Sequence, residues 1–335
     1  MNYQRRQRLS EEAFVNGVIS ADKIILSRAI TLFESSLEED KILAEKVLSG
    51  IMPHIGNSLR IGITGVPGVG KSTFIESFGK YLTSLGKRIA VLAIDPSSQK
   101  TKGSILGDKT RMEALAHDPL AYIRPSATGA TLGGVSNKTR EVMLLCEAAG
   151  FEIIIIETVG VGQSETAVKS MVDFFLLLML SGAGDELQGM KKGIMEMADL
   201  IVINKADGDN KLASKKAQKE YQNALHLFPP SDSEWQPRVT TCSAIEKEGL
   251  KEIWDLIEGF KHTTKKNRYF QTNRQRQNLH WMQEVIKQEL EAHFLRHPQV
   301  SANLPELERQ VLAGDIPATN AAKALLSIYK GEQEG

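Results

Sequence analysis

Residues 65–72 read Gly65-Val66-Pro67-Gly68-Val69-Gly70-Lys71-Ser72, and this stretch decides the fold. It fits the P-loop pattern G-x-x-x-x-G-K-[ST] and is followed by Thr73. An apolar run, Leu59 to Thr64, precedes it and reads as a buried strand. A helix-like run, Ser72 to Leu85, follows. Glycines let backbone N–H groups curl around phosphates, and the start of a helix adds a favourable dipole. In such a cradle Gly65, Val66, Pro67, Gly68, Val69, Gly70, Lys71, Ser72 and Thr73 border the nucleotide. Lys71 reaches the β- and γ-phosphates, and the Ser72 hydroxyl sits on Mg²⁺. An ordinary Gly-rich turn would leave Lys71-Ser72 unexplained.

Outward from this stretch, residues from about 57 to 262 alternate short apolar runs with helical stretches. The runs are Ile61–Thr64, Ile89–Ile94, Phe151–Ile156, Phe174–Leu180, Leu200–Ile203 and Val239–Cys242. Such alternation predicts βαβ units: an α/β P-loop NTPase fold with a mostly parallel sheet flanked by helices. Ligands bind at the carboxyl ends of strands in that architecture, and each motif found here follows one of the runs. Residues 1–56 read as an N-terminal helical extension that caps this domain, closed by Pro53 and Gly56. Residues 263–335 read as a C-terminal helical extension. Its lead-in is basic (Lys265, Lys266, Arg268, Arg274, Arg276) and reads as a solvated face. Leu279, Met282, Val285, Ile286, Leu290 and Phe294 then form an apolar stripe, and shorter helices are expected near Pro305–Ala313 and Thr319–Tyr329.

The composition narrows the class. The chain has 335 residues, with 41 basic and 41 acidic side chains and no net charge. Balanced charge argues against coating nucleic acid or an anionic membrane. Cys146 and Cys242 stand far apart, so a disulfide framework is not expected. Residues 1–12 are polar, and the longest apolar stretch, Phe174–Leu180, is too short to span a bilayer. The expectation is a soluble cytoplasmic protein. His293 and His297 lie four apart, but no Glu-x-x-His pattern or cysteine pair supports a metal there.

Asn204-Lys205-Ala206-Asp207 fits N-K-x-D at a strand end. A carboxylate at Asp207 accepts two hydrogen bonds from the N1–H and exocyclic amine of guanine, a donor pair adenine lacks. Asn204 and Lys205 hold the loop and the base plane. Ser243-Ala244, after the last run, supplies a backbone contact to the guanine O6. The ligand expected is therefore GTP or GDP.

Glu157-Thr158-Val159-Gly160 occupies the place of a D-x-x-G element, with Glu for Asp. Glu157 is expected to hold Mg²⁺ or its water, and the Gly160 N–H to sense the γ-phosphate. Val161 stands where Ras-like GTPases carry a water-orienting Gln, which predicts slow intrinsic hydrolysis with a catalytic element from a loop or a partner. Asp95 and Asp108 are candidates for the Mg²⁺ shell or a switch, and Arg111 for a phosphate or transition-state contact. Lys71, Glu157, Asp108 and Arg111 are thus the catalytic candidates; Ser72, Asp95, Asp108 and Glu157 are the metal candidates. Two Gly-rich stretches, Thr128–Gly134 and Ser181–Gly189, are expected to move with nucleotide state.

Taken together, Gly65–Thr73, Ala93–Ser98, Gly103–Met112, Arg124–Gly134, Glu157–Glu165, Asn204–Asp207 and Ser27–Ser35 resemble the MeaB/ArgK family. These are G proteins associated with methylmalonyl-CoA mutase, within the Glu-x-x-Gly class of P-loop GTPases. The resemblance covers about residues 20 to 330. It implies a homodimer built on the C-terminal helical arm, and GTP-gated cofactor loading and protection of an adenosylcobalamin-dependent acyl-CoA mutase. It also implies that Lys71, Ser72, Asp95, Asp108 and Glu157 serve phosphate and Mg²⁺, and that Ser181–Lys191 is a third switch. Some members carry the label of transport-system kinases for basic amino acids, which leaves a phosphotransferase as the alternative.

Overall fold

Four consecutive isoleucines, Ile153–Ile156, show how the sheet is built. Ile153 and Ile155 enter one apolar core, and Ile154 and Ile156 enter another on the opposite face. Side chains alternate across a strand, so an unbroken apolar run requires cover on both faces. The computed structural model describes residues 8–94, 112–124, 132–158, 164–182, 192–229 and 231–331.

Among the described residues three helices come first: α1 (Glu11–Ile19), α2 (Lys23–Glu34) and α3 (Glu38–Ile51). Asp22 starts α2 by accepting from the N–H groups of Ile24 and Ile25 at 2.8 and 3.1 Å. Then follow β1 (Leu59–Gly65), α4 (Lys71–Ser84), β2 (Ile89–Ile94), the single turn α5 (Glu113–Ala116), β3 (Ala121–Arg124) and α6 (Leu132–Ala148). Next come β4 (Ile153–Thr158), α7 (Ser164–Lys169), β5 (Phe174–Leu180), α8 (Lys192–Met197), β6 (Leu200–Asn204), α9 (Lys211–Leu225), β7 (Arg238–Thr241) and α10 (Leu250–Lys266). The chain closes with α11 (Tyr269–Arg296), α12 (Pro298–Ala313) and α13 (Ala318–Lys330).

Among the described residues seven strands form one sheet in the order β3-β2-β4-β1-β5-β6-β7, all parallel. On one face α4 and α10 supply Phe74, Phe78, Ile253, Ile257 and Phe260 to the core with Ile61 and Ile63. On the other, α1–α3 and α6 share a core with Ala90, Leu92, Ile154 and Ile156. The N-terminal helices therefore bury their apolar stripe against the sheet's own covering helix. Both edge strands are blunted. Gln218 donates to Val239 O at 2.8 Å, and the Val239 N–H donates to Gln222 Oε1 at 3.1 Å. At the other edge Lys23 donates to Ala121 O at 2.8 Å.

Some sequence expectations are corrected. Strand β3 was not among the expected runs: Ala-Tyr-Ile-Arg is short, of mixed polarity, and half-buried at an edge. Strand β4 runs two residues later than the expected Phe151–Ile156, so Glu157 is inside the strand, paired in register with Ala93. The helix expected from Pro305 begins at Pro298, with Pro305 in its interior. Arg274, expected on a solvated face, is largely buried: it makes a two-pronged ion pair with Asp173 at 2.7 Å and bonds Ser58 O at 2.6 Å.

The chain divides into two compact units, residues 1–277 and 278–335. Within the second, the Tyr329 hydroxyl lies 2.8 Å from His293 Nδ1, and its ring packs against Phe294 and His297. Leu279, Met282, Ile286 and Leu290 are exposed. No helix among the described residues is long and apolar enough to cross a membrane.

Candidate active site

Strand β1 ends at Gly65 in the middle of the sheet, and α4 begins six residues later at Lys71. The turn between them depends on its glycines. Gly70 has φ +89°, a left-handed conformation that costs a side-chain-bearing residue energy, and it caps α4. At Gly65 a Cβ would lie 2.6 Å from the Leu178 carbonyl oxygen of β5, closer than atoms tolerate. Val66 and Val69 are buried in the core and anchor the loop, whereas Pro67, Gly68 and Thr73 are exposed. The N–H groups at the start of α4 have no partner within the helix, which makes this end an anion site.

Lys71 Nζ donates to Gly65 O at 2.8 Å and reaches Val66 O at 3.4 Å. Burial lowers its pKa, while Glu157 and Glu165 oppose that shift. The ammonium is thus held inside the loop it would leave to meet an incoming phosphate. Beside it the Ser72 hydroxyl donates to Glu157 Oε1 at 3.3 Å. Glu157 is buried at the end of β4, the neighbour of β1. One residue on, Thr158 Oγ1 donates to Thr64 Oγ1 at 2.7 Å, tying the end of β4 to the end of β1. A hydroxyl and a carboxylate, both hard oxygen donors, fit a Mg²⁺ ion.

The N-K-x-D loop folds back on the cradle. Asn204 Nδ2 donates to Val69 O at 2.8 Å, and Lys205 Nζ to Gly68 O at 2.8 Å. Lys205 has φ +58°, the tight bend this reach requires. Asp207 Oδ2 accepts from Ser243 Oγ at 2.5 Å, and the Ala206 N–H donates to Cys242 O at 3.0 Å. Residues 204–207 and 243–244 therefore meet at the carboxyl ends of adjacent β6 and β7.

Lys71, Ser72, Glu157, Asn204, Lys205, Asp207, Ser243 and Ala244 converge on one edge of the sheet. Asp95, Asp108, Arg111 and Gly160 lie outside the described residues, as do Val161 and most of the two Gly-rich stretches. Sequence reasoning missed three participants: the Thr64–Thr158 pair, buried Glu165, and the side chain of Ser243. Thr64, a lone hydroxyl ending an apolar run, was the available signal for the first. For Glu165, a carboxylate eight residues past Glu157, spacing alone gave no direction.

A parallel sheet with a P-loop after β1, an acidic strand end beside it, and N-K-x-D after β6 defines a P-loop GTPase. Residues 26–299 match the family described as methylmalonyl Co-A mutase-associated GTPase MeaB, and the chain belongs to that family. It is 51% identical over 273 residues to the GTPase ArgK of Escherichia coli, covering 82% of each chain. It is 45% identical to the mitochondrial methylmalonic aciduria type A homolog of Mus musculus, over 96% of this chain and 80% of that one. A solved structure described as an LAO/AO transport system kinase superimposes with a TM-score of 0.76 at 38% identity, covering 97% of this chain and all of that one.

Proposed function

We propose that this chain is a GTP-driven chaperone of an adenosylcobalamin-dependent acyl-CoA mutase of the methylmalonyl-CoA type, gating cofactor loading and protecting the enzyme. The site carries the nucleotide half of this reading. The N–H groups from Gly68 to Ser72 cradle the phosphates, and Lys71 exchanges Gly65 O for β- and γ-phosphate oxygens. Ser72 and Glu157, 3.3 Å apart, hold Mg²⁺ or its water, with Asp95 and Asp108 as further ligands. Bound there, the ion would neutralise charge between the β- and γ-phosphates. Asp207 reads the guanine N1–H and amine, and Ala244 its O6. Asp108, Arg111 and the Gly160 N–H serve the γ-phosphate. With Val161 in place of a water-orienting Gln, the isolated protein hydrolyses GTP slowly.

The mutase half rests on the family match across residues 26–299. The exposed stripe Leu279, Met282, Ile286 and Leu290 supports an arm that pairs with a second copy of the chain. We divide the chain by role into a helical layer (1–56), a GTPase domain (57–262) and a dimerisation arm (263–335), acting in the cytoplasm without nucleic acid or membrane. A pull-down from native extract, with GDP and with a non-hydrolysable GTP analogue, tests this. Recovery of a cobalamin-dependent mutase in a nucleotide-dependent amount is expected; recovery of none in either state would overturn the chaperone reading. The solved relative's description as a transport system kinase favours a second reading, a phosphotransferase. It would win if labelled GTP delivered its phosphate to a product other than inorganic phosphate.

A further inference from the structure

Ser77 lies on α4, five residues after Ser72, and takes no part in the phosphate cradle. A serine inside a helix usually turns its hydroxyl back to the carbonyl one turn earlier. Here the hydroxyl donates instead to Ala244 O, at 2.7 Å, 167 residues away. Around that contact the base loop is almost fully committed. The Ser243 N–H and C=O exchange 3.1 Å hydrogen bonds with Glu248, closing a tight antiparallel turn. The Ser243 hydroxyl serves Asp207 at 2.5 Å and accepts from the Glu246 N–H at 3.1 Å. Ala244 is buried, its carbonyl is taken by Ser77, and its N–H has no acceptor among the described residues. Buried backbone donors are almost always paired, so this N–H is set apart for a ligand.

We propose that Ser77 is a positioning residue for guanine: its hydroxyl pins the Ala244 peptide so that the Ala244 N–H faces the base carbonyl. Helix α4 would then hold both ends of the nucleotide, the phosphates through its first turn and the base edge through its second. The inference rests on the guanine-site reading above and adds a residue to it. Removing the hydroxyl frees the loop backbone, so the donor is no longer pre-aimed and part of the binding energy is spent on ordering it.

The test is titration calorimetry with GDP, inosine diphosphate and pyrophosphate on the full chain, for wild type, S77A, S77T and D207N. S77A is expected to weaken GDP and inosine diphosphate alike by roughly fivefold to tenfold, the range of one neutral hydrogen bond. Inosine keeps the O6 that Ala244 would meet. Pyrophosphate affinity should be unchanged, and S77T should regain most of the loss. Unchanged GDP affinity in S77A would overturn the proposal. So would an equal loss for pyrophosphate, which would mean that α4 itself is disturbed. D207N separates the two readings. If it leaves base preference intact, the guanine site is misassigned; if it alters preference while S77A changes nothing, only the role of Ser77 fails.

Discussion

The Ser72 hydroxyl donates to Glu157 Oε1 across 3.3 Å, joining two residues that are 85 positions apart in the chain. The contact exists because β1 and β4 are neighbours and both end at the same edge of the sheet. Replacing Glu157 with Gln keeps the shape and removes the charge that would hold the ion or its water. GDP affinity in the presence of Mg²⁺ should fall roughly 10–100-fold. Affinity measured in a chelator should stay the same. Fluorescent GDP titrations with and without Mg²⁺ check this, and equal losses under both conditions would deny Glu157 a metal role.

Asp207 is held by Ser243 at 2.5 Å with its carboxylate available to a base. Asp207→Asn exchanges an acceptor pair for a group that also donates. Hydrogen bonds to a charged group are worth about 1.5–3 kcal/mol, so GDP should bind at least about tenfold more weakly. Xanthosine diphosphate, with a carbonyl in place of the amine, should bind more tightly than it does to wild type. Competition between the two nucleotides gives the answer directly.

Gly65→Ala should disturb the cradle without touching any polar side chain. The new Cβ would stand 2.6 Å from the Leu178 carbonyl oxygen, which cannot retreat without distorting β5. Overpacking of this kind costs about 1–3 kcal/mol. A lower unfolding midpoint together with weakened pyrophosphate binding is expected. An unchanged midpoint would show that the strand ends yield more easily than this geometry implies.

At the opposite edge, Arg274 clamps the first turns of α11 to the start of β5 through Asp173, whose side chain is 1% exposed. Removing one partner of a buried pair costs about 3–5 kcal/mol, because the other is left charged and buried. Arg274→Met should shift the urea midpoint by that equivalent. Nucleotide affinity in the folded protein should be preserved, since the cradle lies at the other end of the sheet.

Glu141 on α6 gives a signature in pH. Burial raises its pKa from 4.5 to about 7; Lys138 opposes the shift and Glu45 adds to it. The folded state therefore holds a proton that the unfolded state releases above its lower pKa. Stability from this group is complete below about pH 4.5 and is lost as pH rises through about 7. Glu141→Gln should flatten that part of the stability profile, so the variant's advantage over wild type grows between pH 5 and 8. A constant difference across this range would contradict the assignment.

Much of the fold could be read in the sequence because its signals are local. The P-loop at Gly65–Ser72 needs only left-handed glycines and a following helix. The central strands announce themselves as unbroken apolar runs because both their faces are covered. Edge strand β3 stayed hidden for the converse reason: half-exposed and four residues long, it carries no period that distinguishes it from a loop.

By itself the sequence determined the motifs on offer: a P-loop, an N-K-x-D loop, an acidic residue at the end of an apolar run, and membership of a GTPase family. Only the tertiary structure decided which groups meet. Strand order brings Glu157 to Ser72 and Asp207 to Ser243, folds Ala244 over Ser77, and buries Arg274 that composition placed in solvent. Local spacing encodes backbone conformation and periodicity. Contacts across 36 to 167 residues depend on which strands become neighbours, and that is settled by burial summed over the whole sheet.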